Sequence, residues 1–370
     1  MARDFMNDDH GSVSQRIALL RFLMIFGVVL LHAPPYVPIA EVANTPFDLL
    51  KAFFQNAVFR TSVSLLACIS GYLLFRSALD RTPAKLASRK FRTLVVPFLV
   101  FNLGLLTAAL VMQVGLGVTL NNDLVPKGRN GWLDAAIGLT NSPINYPLNF
   151  LRDLIALMIA APLLGWFMRN FPLLGLGIVL AIYRFDLDGP FVLRNALWPM
   201  FYLGGLAAIR GWDMRALDRY ASLCLALFLL LCAYIIAFRV ANTDILRMVA
   251  PFLIWPASSL LVRTPFGLWL SRMNKYSFFL FLAHAPVLLL TSIVYKPFKG
   301  HIPYPFYWVL GPVVTTAVLV VVYKLAMRMM PRLFRAAIGA KPVSTTSGPN
   351  HSASIKADQE QSGKKPLVWL

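Results

Sequence analysis

The sequence predicts an all-α fold, a polytopic membrane helix bundle of about ten transmembrane helices, and three observations predict it. Of its 370 residues, 58% are hydrophobic and only 14% are charged, more apolar surface than one soluble core of this length can bury. Apolar runs long enough to cross a bilayer, about 17 to 25 residues each, recur from Ile17 to about Leu325 with short polar connections. The lysines and arginines behind the net charge of +19 lie in those connections and not along one soluble face. That distribution speaks against a nucleic-acid partner and for membrane lipids as the surroundings.

Taken in order, the full-length runs fall near 17–33, 57–75, 94–117, 150–168, 220–238, 245–262, 276–295 and 308–327. Two shorter runs, 172–183 and 195–209, are bounded by Pro, Gly or Arg and complete the set. The first fifteen residues are polar, and the first run carries an internal arginine and ends in His-Ala-Pro-Pro, so it reads as a retained span and not a cleaved leader. The chain thus divides into an N-terminal segment 1–15, a membrane domain 16–335 and a tail 336–370. The tail is rich in Ser, Thr, Gly, Lys and Gln and is predicted to be disordered.

Alternating the connections places Lys and Arg very unequally on the two sides. The short loop 76–92, with Arg76, Arg81, Lys85, Arg89, Lys90 and Arg92, carries most of the signal. By the positive-inside rule both termini are expected in the cytoplasm. The segment 119–149, with turn chemistry in NNDLVPKGRNGW and NSPINYP, is then the longest external connection and is placed to cap an outward opening. Cys68, Cys224 and Cys232 sit inside apolar runs without pattern, which suggests neither disulfides nor a metal.

The chemistry-bearing candidates lie within the spans. Arg21 and His32 are eleven residues apart, which brings them to nearly one helix face, about three turns and roughly 16 Å apart along the axis. Ionisable groups inside a span are costly in lipid and mark a pathway or a reaction site. Spacing alone equally allows an arginine that reaches the interface and a histidine that ends the helix before Pro34-Pro35. Arg152 and Asp153 enter the fourth span from the far side, near the depth of His32, where they either pair at the interface or serve a site. His284 lies in the middle of the ninth span.

Five motifs then occur in order. Arg21 and His32 form Arg-x10-His. FFQNAVFRTSVSLLACISGYLLF ends in Ser70-Gly71-Tyr72, and SRKFRTLVVPF sets Arg89 and Arg92 before Pro97. YPLNFLRDLIAL opens a later span with Asn149 where tryptophan is usual, and SFFLFLAH keeps Ser277, Leu282 and His284 with phenylalanines in place of tyrosines. Over roughly residues 15–330 this resembles the membrane O-acyltransferases known as acyltransferase family three. Within it, length and pattern resemble the bacterial exopolysaccharide-modifying members that transfer succinyl groups.

The resemblance implies a multi-pass enzyme of the bacterial inner membrane, using acyl-CoA as donor, with succinyl-CoA favoured over acetyl-CoA, and no metal. Its acceptor would be an exported polysaccharide or a lipid-linked oligosaccharide. Arg21, Arg89 and Arg92, with Ser70 beside them, would hold the coenzyme A at the cytoplasmic end. His32 would act as general base, or carry the acyl group transiently. Asp153 would orient His32, Arg152 would hold an oxyanion or a succinyl carboxylate, and His284 would assist at the acceptor. A proton-coupled transporter or flippase of glycan precursors is the competing reading, weakened by the lack of an internal hydropathy repeat.

Overall fold

The structure, a computed structural model, describes residues 2–115, 117, 125–194 and 196–340, without the side chains of 2–12. Most of the expected disordered tail, and residues 118–124 of the long connection, lie outside the described residues. No strand occurs among the described residues.

Among the described residues twelve helices follow one another, besides the short 3-10 turns at Ile39–Glu41 and Leu79–Arg81. α1 is Ala2–Leu31, α2 Pro46–Arg76 and α3 Pro83–Gly115. The short α4, Gly128–Ile137, precedes α5, Tyr146–Asn170. Then come α6, Pro172–Phe185, and α7, Leu197–Ile209. α8 is Asp218–Ala237, α9 Asp244–Val262, α10 Pro265–Phe298 and α11 Tyr304–Met329. α12 is Pro331–Ala337. Eight of these are long and apolar enough to cross a membrane, and α6 and α7 are the two shorter apolar helices expected. The helix α1 begins well before its apolar part, running through the polar N-terminal segment.

Local sequence sets the boundaries. Thr45 and Thr264 cap α2 and α10 by accepting the backbone N–H of Asp48 and Gly267, each with proline at the first helical position, where a missing N–H costs nothing. Gly138 ends α4 in the left-handed region at φ 64°, a conformation glycine adopts without strain. Exposed Leu223, Leu227 and Leu230 on α8, and Val314, Val318, Val321 and Leu325 on α11, make apolar stripes at helical spacing on the outside of the bundle. Such stripes suit lipid, not water.

The interior is built on close crossings. α2 and α7 approach until a Cβ on Gly71 would overlap the carbonyl of Phe201 and one on Gly204 the carbonyl of Cys68, the small-residue contact that lets membrane helices pack backbone to backbone. Arg16 is buried, donates two hydrogen bonds of 2.8 and 2.7 Å to Asp218, and lies over the Trp255 ring. A second ion pair joins Arg169 of α5 to the buried Asp80. At the other extreme of the chain, Ile338 is buried and Gly339 packs on the backbone of Arg92 and Thr93. The chain therefore stays packed past the boundary expected at 335.

Candidate active site

The end of α1 is where local chemistry concentrates. A helix leaves its last carbonyls without intrahelical partners, and Pro34 and Pro35 cannot supply the missing N–H groups. A π-helical turn at Phe53–Ala57 in α2 carries the buried Gln55, whose amide donates to the carbonyls of Leu30, Leu31 and Ala33 at 3.1, 3.3 and 3.0 Å. Lys51 and Tyr304 donate to the carbonyls of Pro35 and Pro34. Three side chains from two elements, α2 and α11, thus fix the backbone around His32.

That backbone aims the imidazole. His32 Nδ1 lies 2.8 Å from the Val28 carbonyl, so the N–H belongs on Nδ1 and Nε2 is left as the basic nitrogen. His284 on α10 repeats the device. Its Nδ1 faces the carbonyls of Phe281 and Leu280 at 2.9 and 3.1 Å, and its buried Nε2 has no hydrogen-bond partner among the described residues. The two rings stand 5.4 Å apart between centroids, with Tyr146 edge-on to His32 at 6.1 Å. Sequence spacing could not bring positions 32 and 284 together; the packing of α1 against α10 does.

Two cavities line this helix end to end. The first, of about 160 Å³, contains Arg21, Ser70, Arg89 and Lys90. The second, of about 230 Å³, contains His32, Tyr146 and three arginines, Arg60, Arg194 and Arg247. Leu66, Phe150 and Phe281 line both, and the last two rings meet edge to face at 5.9 Å. The Arg21 and His32 cavities are therefore neighbours along α1, with this apolar collar between them. Tyr146 and Pro147 bring the long connection to the wall of the second cavity.

Several expected residues take other places. Arg92 is exposed and does not line the Arg21 cavity; two residues' rotation on the helix, about 200°, separates it from Lys90, which does. The Ser70 hydroxyl, though at the cavity wall, donates to its own helix at the Leu66 carbonyl. Arg152 does not reach His32. Its guanidinium donates to the carbonyls of Gly138, Leu139, Pro190 and Phe191 and to Asp153 Oδ1, which occupies all five of its N–H groups. Asp153 is fully buried and accepts from Arg152 and from the Leu193 backbone N–H, so it orients the loop before α7 and not the histidine. Both lie outside the two cavities. A buried carboxylate needs a partner more than it needs a task, and the adjacent arginine supplies it.

The arginines that do face His32 are Arg60, Arg194 and Arg247. One signal in the sequence could have found them. They belong to the minority of basic residues that the positive-inside bias leaves on or near the far side, where a cation calls for a separate reason. Among the described residues no group of three or more His, Cys, Asp or Glu is placed to hold a metal.

The family profile for an acyltransferase domain matches residues 15–324. The chain belongs to this acyltransferase family. It is also similar to the succinoglycan biosynthesis protein ExoH of Rhizobium meliloti (strain 1021), with 32% identity across 96% of this chain and 99% of that protein. No solved structure matches it significantly.

Proposed function

We propose that this protein transfers an acyl group, succinyl in preference to acetyl, from acyl-CoA to a hydroxyl of an exported bacterial polysaccharide or its lipid-linked precursor. The observation that carries the reading is the pair of end-to-end cavities with Arg21 in one and His32 in the other. Their separation, roughly 16 Å along the helix, is comparable to the reach of a pantetheine arm. Arg21, Arg89 and Lys90 would grip the coenzyme A phosphates, with Arg21 and Arg89 offering forked donors. The pantetheine would pass the collar of Leu66, Phe150 and Phe281 and bring the thioester to the second cavity.

There the acceptor hydroxyl attacks the thioester carbonyl as His32 Nε2 takes its proton. Collapse of the adduct breaks the C–S bond, the proton passes to the departing thiolate, and the products are a sugar ester and free coenzyme A. His284 would hold the acceptor hydroxyl through its free Nε2 or stabilise the histidine pair. The Arg21 end would face the cytoplasm of a bacterial inner membrane, as the charge of the 76–92 loop supports. Similarity to a succinoglycan biosynthesis protein supports a polysaccharide acceptor.

The test is transfer of labelled acyl groups from succinyl- and acetyl-CoA to isolated polysaccharide by the purified full chain. Wild type should label the glycan, while His32→Ala should lose at least about a hundredfold in rate, the scale of general-base catalysis. Absence of transfer from every donor, or a His32→Ala variant as active as wild type, would overturn it.

A further inference from the structure

Three guanidinium groups meet in the His32 cavity. Arg60 comes from α2, Arg194 from the turn before α7 and Arg247 from the first turns of α9, and no acidic side chain lines the same space. Each is half-buried. Arg60 spends one donor on the Tyr36 hydroxyl and lies over that ring at 4.9 Å. Arg247 has Asp244 at 3.4 Å, outside the cavity wall. Arg194 has its guanidinium 5.8 Å over the Tyr146 ring, and no hydrogen bond from it to a described residue occurs. The same Tyr146 ring stands edge-on to His32, so one aromatic ring is in contact with both the guanidinium and the imidazole.

Three like charges around one pocket repel one another, and in a half-buried site solvent screens that repulsion poorly. Two of them keep only partial partners, and Arg194 has a ring contact and the field of the buried Asp153 but no hydrogen bond to a described residue, an arrangement that is favourable once an anion enters. A guanidinium fork matches a carboxylate in particular. With Arg152 fully occupied elsewhere, this cluster supplies the free guanidinium groups next to His32.

We propose that Arg60, Arg194 and Arg247 form a carboxylate-binding subsite beside His32, which selects substrates carrying a free acid group close to the reacting carbon. The proposal rests on the acyltransferase reading for the place of reaction. The carboxylate would come from the distal end of a dicarboxylic acyl donor such as succinyl, four carbons long, or from an acid sugar of the acceptor. Arg194 is the group to alter, because its guanidinium makes no hydrogen bond to a described residue.

Transfer is measured with succinyl- and acetyl-CoA, each with a neutral and an acidic glycan acceptor, in wild type, Arg194→Gln and Arg194→Lys. A charged hydrogen bond lost at such a site corresponds to about a 30-fold change. The succinyl-to-acetyl ratio of kcat/KM should fall by that amount in Arg194→Gln and be partly retained in Arg194→Lys. A ratio that holds while the preference for acidic over neutral acceptor collapses would support the subsite with the acceptor as the source. In parallel, monomethyl succinate, an acid with an ester in place of the thioester, should raise the melting temperature of detergent-purified wild type. Dimethyl succinate should not, and Arg194→Gln should not respond to either. Equal losses with all four substrate pairs, or none, together with no stabilisation by monomethyl succinate, would overturn the subsite. The melting assay needs no turnover, so it separates failure of the subsite from failure of the transferase reading.

Discussion

His32 owes its usefulness to residues that do no chemistry. Gln55 closes three carbonyls at the end of α1, and leaving such groups unpaired in a buried place costs about 1–3 kcal/mol. In Gln55→Leu the helix end should loosen and His32 lose its aim, lowering kcat by about tenfold or more while KM for the acyl donor, bound from the other cavity, moves little. Steady-state kinetics checks this, and a parallel fall in kcat and rise in KM would point to general unfolding instead. That Arg21, His32 and Ser70 line cavities along α1 accords with the helical periodicity and motif order that singled them out in the sequence. Gln55 and Lys90 could not be found there, since their roles arise from contacts between segments far apart in the chain; for the three cavity arginines the far-side charge was a hint, but their meeting in one cavity arises from such contacts too. Arg152 and Asp153 illustrate the opposite case: adjacent opposite charges look like a site in sequence, and in the structure they are each other's partner.

At the scale of elements, the connection from α4 to α5 brings Tyr146 onto His32, and a compact polar knot holds it there. Asn102 of α3 donates to the carbonyls of Ala135 and Ala136 at the end of α4 and accepts from the Asn145 backbone N–H. Asp134 accepts from the backbone N–H groups of Thr140 and Asn141 and from both their side chains. Burial by itself would raise its carboxyl pKa; the hydrogen bonds from Asn141 and Thr140 outweigh it and hold the group down at about 2. Depression in the folded state means the stabilisation is complete above the ordinary carboxylate value of about 4 and is lost as pH falls toward 2. Hydrogen exchange of Thr140 and Asn141 should therefore keep its protection at pH 5 and lose it between about pH 4 and 2, with Asp134→Asn unprotected throughout. Protection that persists at pH 2 would show that the turn stands without this carboxylate.

For the whole molecule, the functional reading requires that the Arg21 and His32 ends open on opposite sides of the membrane. Exposed Lys85 lies near the first end and exposed Lys299 beyond α10 at the second. In a background with Cys68, Cys224 and Cys232 replaced by alanine, Lys299→Cys should react with an impermeant maleimide on intact cells. Lys85→Cys should react only after the membrane is opened. The reverse pattern would invert the topology and with it the direction of transfer.

What the sequence by itself determined was the class of molecule: hydropathy sets helices because lipid offers no partner to an open backbone group, and the eight long and two short runs stand as helices in the structure. The family was legible too, because its motifs are local and ordered. Tertiary structure alone decided which polar groups share a cavity. It joined His32 to His284 across α1 and α10, turned Arg92 outward, occupied Arg152 with backbone carbonyls and gathered Arg60, Arg194 and Arg247 around the imidazole. The physical reason is that periodicity fixes a side chain's face on its own helix, whereas the helix that face meets depends on close crossings such as Gly71 on Phe201, which no pattern along the chain reveals.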